Sequence, residues 1–206
     1  MARMGAELRK QDFVKATVKV IAEHGVANAT TRRIAAAAGC PLASLHYVFR
    51  TKDELFYAVY ESLFSQPQAY LQQATSAASP AAAVTAMLRR TIHWASSNPD
   101  VARAQSELFF WASRNQPDMA RKIYSVGVEA TEQVLERVLG NCLDTAGLQA
   151  TSRTLVLLFD GLLVAWTAHG DLERLGRETE TACQALSLLV EHLQHSRGAD
   201  TQNDTE

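Results

Sequence analysis

The chain has 206 residues, 47% of them hydrophobic and 20% charged, with a net charge of −2, the composition of a folded protein holding one large domain or two small ones. Three widely separated cysteines, Cys40, Cys142 and Cys183, argue against a disulfide framework or a zinc site and for reduced thiols used as small packing residues. Residues 1–12 lack the apolar stretch of a signal peptide, and the apolar run 155–168 is interrupted by Asp160 and too short to span a bilayer, so the expectation is a cytoplasmic protein with no membrane partner.

The charge is unevenly placed. Residues 1–56 hold nine Lys/Arg against five Asp/Glu, a net of +4, and the remainder holds 11 against 17, a net of −6. A basic head on an acidic body concentrates attraction for phosphate at one end. Residues 1–7 read as a mobile arm. Helix one spans 8–24, with Phe13, Ala16, Val20 and Ile21 toward a small core, and Gly25 closes it. Thr30 or Thr31 caps helix two, whose Ile34, Ala35 and Ala38 form a narrow apolar face. Gly39 ends that helix, and Pro41 opens a third from Leu42 to Phe49, with Leu42, Leu45 and Phe49 on one face and Ser44, His46 and Tyr47 off it. Two short helices about a glycine bend, exposing hydroxyl and imidazole groups, are the sequence form of a helix-turn-helix. Thr51-Lys52-Asp53-Glu54 is a capping box that starts helix four, about 52–74, with its first-turn amides available to a phosphate.

The stretch from about Phe13 to Leu55 resembles the DNA-binding domain of the TetR family of transcriptional regulators. The match is carried by Thr30-Thr31-Arg32, Ile34-Ala35, Ala38-Gly39, Leu45-His46-Tyr47, Phe49 and Thr51-Lys52-Asp53-Glu54-Leu55. Pro41, Leu42 and His46 depart from the family's usual serine, lysine and tyrosine, which removes a possible phosphate contact. The candidate contacts to double-stranded operator DNA are Thr31, Arg32, Ser44, His46, Tyr47 and Lys52. His46 and Lys52 are placed for phosphate, Ser44 and Tyr47 for base edges.

Helix four is apolar around much of its girth, as a connector between two partners must be, and Pro67 should kink or end it. The loop 75–80 marks the boundary of a second domain, 80–196, after a helix-turn-helix domain at 8–55. Helices five to nine then follow at about 81–96, 98–114, 117–139, 148–169 and 173–195, and the polar segment 197–206 reads as disordered. The expected fold is therefore all-α, about nine helices in all, with a three-helix DNA-binding domain and a larger helical ligand-binding and dimerisation domain.

Helix eight is apolar on every side and helix nine over more than half its circumference, so one side of each needs a partner chain. A homodimer through Leu158, Gly161, Leu162, Trp166, Leu186, Leu189 and Leu193 is expected, as the resemblance also implies. Two heads about 34–36 Å apart then read a palindrome. In the body, Phe64, Met87, Thr91, Trp94, Phe110, Trp111 and Tyr124 are the candidate lining for a small hydrophobic or amphipathic effector, with ordinary core packing as the other reading. Asp160, a carboxylate amid apolar residues, is either a ligand anchor or half of a structural pair. The resemblance implies a repressor whose effector favours a state with altered head spacing. No metal-binding pair, phosphate loop, catalytic elbow or other cofactor motif is evident, so an enzyme is not expected. A helical small-molecule-binding protein with weakened or lost DNA binding is the alternative.

Overall fold

The computed structural model describes residues 2–71 and 78–203, and within them the side chains of 7–63 and 78–196. Among the described residues there are nine α-helices and no strand: α1 (Ala2–His24), α2 (Thr31–Ala37), α3 (Leu42–Val48), α4 (Lys52–Leu71), α5 (Pro80–Ser97), α6 (Pro99–Asn115), α7 (Pro117–Leu139), α8 (Thr145–His169) and α9 (Leu172–Asn203). The chain is all-α, as its periodicity predicts. Short 3-10 turns at Val26–Asn28 and Gly140–Cys142 complete the order.

Two helices outrun their expected ends. The arm expected over residues 1–7 is helical from Ala2, because Ala, Arg, Met and Glu there are strong helix formers that extend an already nucleated ladder. Likewise α9 continues to Asn203, so residues 197–203 are helical where composition alone predicts disorder. A low apolar content removes tertiary packing, not the backbone hydrogen bonds that propagate from a packed segment. The boundary loop and the end of helix four fall partly on 72–77, outside the described residues, and α4 runs on through Pro67 to Leu71.

The helices gather into two compact units, one joining the N-terminal segment up to Gln66 with Asn98–Tyr124, the other joining Pro67–Ser97 with the segment from Ser125 onward. The body expected as a continuous block from residue 80 is thus interrupted. In the first unit α6 packs along α1, burying Ala102, Ala104, Leu108 and Ala112, and small residues permit that close approach. Its core is built on Phe13, Ile21, Ile34, Leu45, Leu55, Phe56, Leu108 and Ile123, all at most 1% exposed. Each such side chain contributes roughly 1.5–3 kcal/mol.

In the second unit α5, α8 and α9 pack pairwise. Asp144 caps α8 by accepting the Gly147 N–H at 2.7 Å, so the helix begins at Thr145, three residues before the expected start at 148. That cap makes α8 a 25-residue helix, long and apolar enough by composition to cross a membrane, although Leu155, Val156, Phe159, Leu162 and Leu163 are buried within the fold. On the polar side, Arg89 makes a two-pronged ion pair with Glu180 at 2.7 and 2.8 Å, joining α5 to α9. Cys183 is buried, with its thiol 3.6 Å from the Thr85 carbonyl, whereas Cys142 is exposed in its turn and so does not serve as packing.

Candidate nucleic-acid interface and the residues of the body

The reading motif is assembled by local rules. Thr30 caps α2, its Oγ1 accepting the Arg33 N–H at 3.2 Å, so Thr31 is the first helical residue and not the cap. At the other end Gly39 adopts φ 63°, the Gly39 N–H donates to Ala36 O at 3.1 Å and the Cys40 N–H to Ala35 O at 3.0 Å. That pair of bonds is the Schellman closure that a glycine makes possible. Pro41 stands just before α3 with ψ 144°, one position earlier than a first helical residue.

These bonds fix which side chains face outward. On α3, Leu45 is buried while His46 and Tyr47 are exposed, Tyr47 at 83%, and Ser44 is half-buried. On α2, Arg32 is exposed and Thr31 half-buried. Arg33, which the sequence did not single out, turns back to donate from Nη1 to the Asn28 carbonyl at 2.9 Å.

The start of α4 carries the box with one change. Thr51 Oγ1 accepts the Glu54 N–H at 3.1 Å, but Glu54 Oε2 takes the N–H of Arg50 at 2.8 Å, one residue before the cap. Lys52 lies half-buried with its ammonium 4.7 Å from the centre of the Phe56 ring. Burial lowers its pKa below the ordinary lysine range, against an opposing pull from Asp53. Phe56 in turn meets Trp111 of α6 edge to face at 5.2 Å. The Phe56 ring therefore lies beneath Lys52 and is itself braced by Trp111.

The effector candidates are divided between the units. In the first, Trp111 is spent on Phe56, Phe110 is 54% exposed and Tyr124 is also exposed. In the second, Met87 is fully buried, Thr91 is buried with its hydroxyl donating to the Met87 carbonyl at 2.8 Å, and Trp94 is half-buried. The Phe64 side chain lies outside the described residues. Asp160 is half-buried on α8 and, among the described residues, makes no hydrogen bond or ion pair; burial pushes its pKa up to about 6. The structural pair that would have explained this carboxylate is therefore not formed among them.

The candidate interface residues also divide. Gly161 is exposed with nothing within 4 Å of a Cβ built on it, and Leu158, Trp166, Leu189 and Leu193 are half-buried. Leu162 and Leu186 are corrected to the core of their own unit, at 8% and 0% exposure, because they lie on the faces that α8 and α9 turn inward. The outward apolar residues are instead Leu157, Val164, Leu172 and Leu188. Helical spacing distinguishes these faces only after the packed side is known.

The sequence pattern of bacterial regulatory proteins, tetR family, matches residues 13–59, from the core of α1 to Val59 of α4. Over a longer span the chain is 27% identical across 164 residues to the HTH-type nicotine-responsive transcriptional repressor HdnoR of Paenarthrobacter nicotinovorans, covering 78% of this chain and 84% of that one. Residues 13–59 are thus a TetR-type DNA-binding domain. Solved TetR-like structures share its fold: a TetR transcription regulator from Haloarcula marismortui superposes with a TM-score of 0.68 at 23% identity, covering 91% of this chain and 98% of that one. A transcriptional regulator from Rhodococcus sp. Rha1 does so with a TM-score of 0.68 at 21% identity, covering 91% and 96%. That domain makes the chain a transcriptional regulator, and its helix-turn-helix is the α2–α3 pair.

Proposed function

We propose that this regulator is a repressor that binds a palindromic operator as a homodimer in the cytoplasm and is released by a small hydrophobic or amphipathic effector. The observation that carries the reading is the outer face of the helix-turn-helix: Arg32, His46 and Tyr47 stand exposed while Ile34 and Leu45 anchor their helices in the core. Thr31, Ser44 and Lys52 flank that face. In this reading Lys52 and His46 meet phosphate, and Ser44 and Tyr47 meet base edges. The relative named a nicotine-responsive repressor supports both repression and a small-molecule signal.

Dimerisation rests on the apolar residues left outward on α8 and α9, with Gly161 allowing close approach. The effector is assigned to the helical body, where Met87, Trp94 and Asp160, unpartnered among the described residues, supply apolar surface and one negative anchor. An effector carrying a protonated nitrogen suits that anchor, and it acts only through its differential affinity for the DNA-binding and released states.

The test is selection of duplexes from a random library by the purified protein, followed by titration of the winner. A pseudo-palindromic consensus bound by two chains is the expected result. Enrichment of no sequence at low ionic strength overturns the reading.

A further inference from the structure

The turn between α1 and α2 is held by a residue far away in the chain. Val26 opens that turn and is 3% exposed, so water does not serve its amide. Its N–H donates to Oε2 of Glu107 on α6, 81 residues later, at 3.2 Å. The residue before it, Gly25, has φ 75° and ψ 160°, a backbone region that essentially only glycine populates. The same Glu107 oxygen lies 3.1 Å from where a Gly25 Cβ would stand, so the carboxylate fills the space that the missing side chain leaves open. One turn earlier on α6, Arg103 Nη1 approaches the Ala22 carbonyl at 3.5 Å.

From this anchor the hydrogen bonds continue into the reading head. The Asn28 N–H donates to Gly25 O at 3.2 Å, and the Asn28 carbonyl accepts from the Thr30 N–H and from Arg33 Nη1, each at 2.9 Å. Thr30 then caps α2. A continuous series of bonds therefore joins Glu107 to the first turn of α2, and α2 packs directly on α3. An apolar side chain at position 107 would leave the buried Val26 amide without an acceptor.

We infer that Glu107 is a positioning residue for DNA reading: by holding the Val26 amide it fixes where α2 begins, and through α2 the register in which α3 meets base edges. The inference rests on the DNA-reading function proposed above, and its test separates the two. Full-length wild type, Glu107→Ala and Glu107→Gln are titrated against the duplex that wild type selects and against a scrambled duplex of equal length. Glu107→Ala is expected to lose about tenfold on the selected duplex and under about twofold on the scrambled one, the size of effect that one lost buried hydrogen bond produces. Glu107→Gln keeps an oxygen that accepts the same amide, and is expected within about threefold of wild type on both. Equal weakening on both duplexes, or an unchanged selected-to-scrambled ratio in Glu107→Ala, overturns the inference.

A second measurement needs no DNA. Amide hydrogen exchange at Val26 is expected about tenfold faster or more in Glu107→Ala, with protection over Phe13–Ile21 of α1 unchanged. Should wild type select no duplex, the DNA-reading function falls while the exchange result still decides the anchor. Unchanged Val26 protection overturns it.

Discussion

At the scale of single residues, two charged side chains stand where their surroundings disfavour charge. Lys52 keeps its ammonium above Phe56 and its stem partly buried, so it is held in place before any DNA arrives. A phosphate contact releases counterions, and Lys52→Gln is therefore expected to weaken all duplexes alike and to flatten the log–log salt dependence by about 0.9. Titration between low and moderate salt checks this; an unchanged slope removes Lys52 from the interface. Asp160 presents the opposite case, a carboxyl raised to about 6 by burial without a compensating partner among the described residues. Its folded value exceeds the unfolded one of 3.8, so the folded state binds more protons between the two, and ionisation destabilises the fold as pH rises through that window. Asp160→Asn should accordingly stabilise the protein near neutral pH by up to ~3 kcal/mol, an upper bound set by the pKa difference. The gain should shrink toward zero near pH 4. Urea melts across that range decide it, and a gain independent of pH would refute the desolvation account. A cationic effector anchored here should also bind more weakly as pH falls through about 6, since protonation removes its counter-charge.

Among the elements, the helix ends carry most of what is specific. The α4 start is closed by Thr51 on the Glu54 amide and by Glu54 on the Arg50 amide, so removing the hydroxyl exposes a donor without removing packing. Thr51→Ala is expected to cost about 1 kcal/mol and Thr51→Ser almost nothing, read as the shift in urea midpoint. Equal midpoints for the two variants would mean that the cap is not stabilising. The Schellman bonds at Gly39 act on direction instead, turning the chain so that Leu45 enters the core while His46 and Tyr47 face away from it. Both devices are local, and both were readable from residue types at fixed spacing. The backward step of Glu54 to Arg50 was not, because two backbone N–H donors one residue apart satisfy the same pattern.

For the whole molecule, the proposed dimer rests on the outward apolar residues of α8 and α9. Leu188, 67% exposed, and Leu157, 60% exposed, present carbon surface to water in the single chain. Leu188→Glu is expected to convert a dimer to a monomer in light scattering, while Leu186→Glu should unfold the unit, since Leu186 is fully buried. If Leu188→Glu leaves the mass unchanged and dimeric, this face is not the interface. Periodicity, caps and glycine positions in the sequence by themselves determined the all-α class, the helix-turn-helix and its outward residues, because each depends on neighbours within a turn or two. Only the tertiary structure decided that α6 belongs with the reading head, that Leu162 and Leu186 are core while Leu157, Val164 and Leu188 are not, and that Glu107 holds the Val26 amide. An all-round apolar helix carries no mark of which face its own chain will cover, and a hydrogen bond across 81 residues leaves no spacing to read.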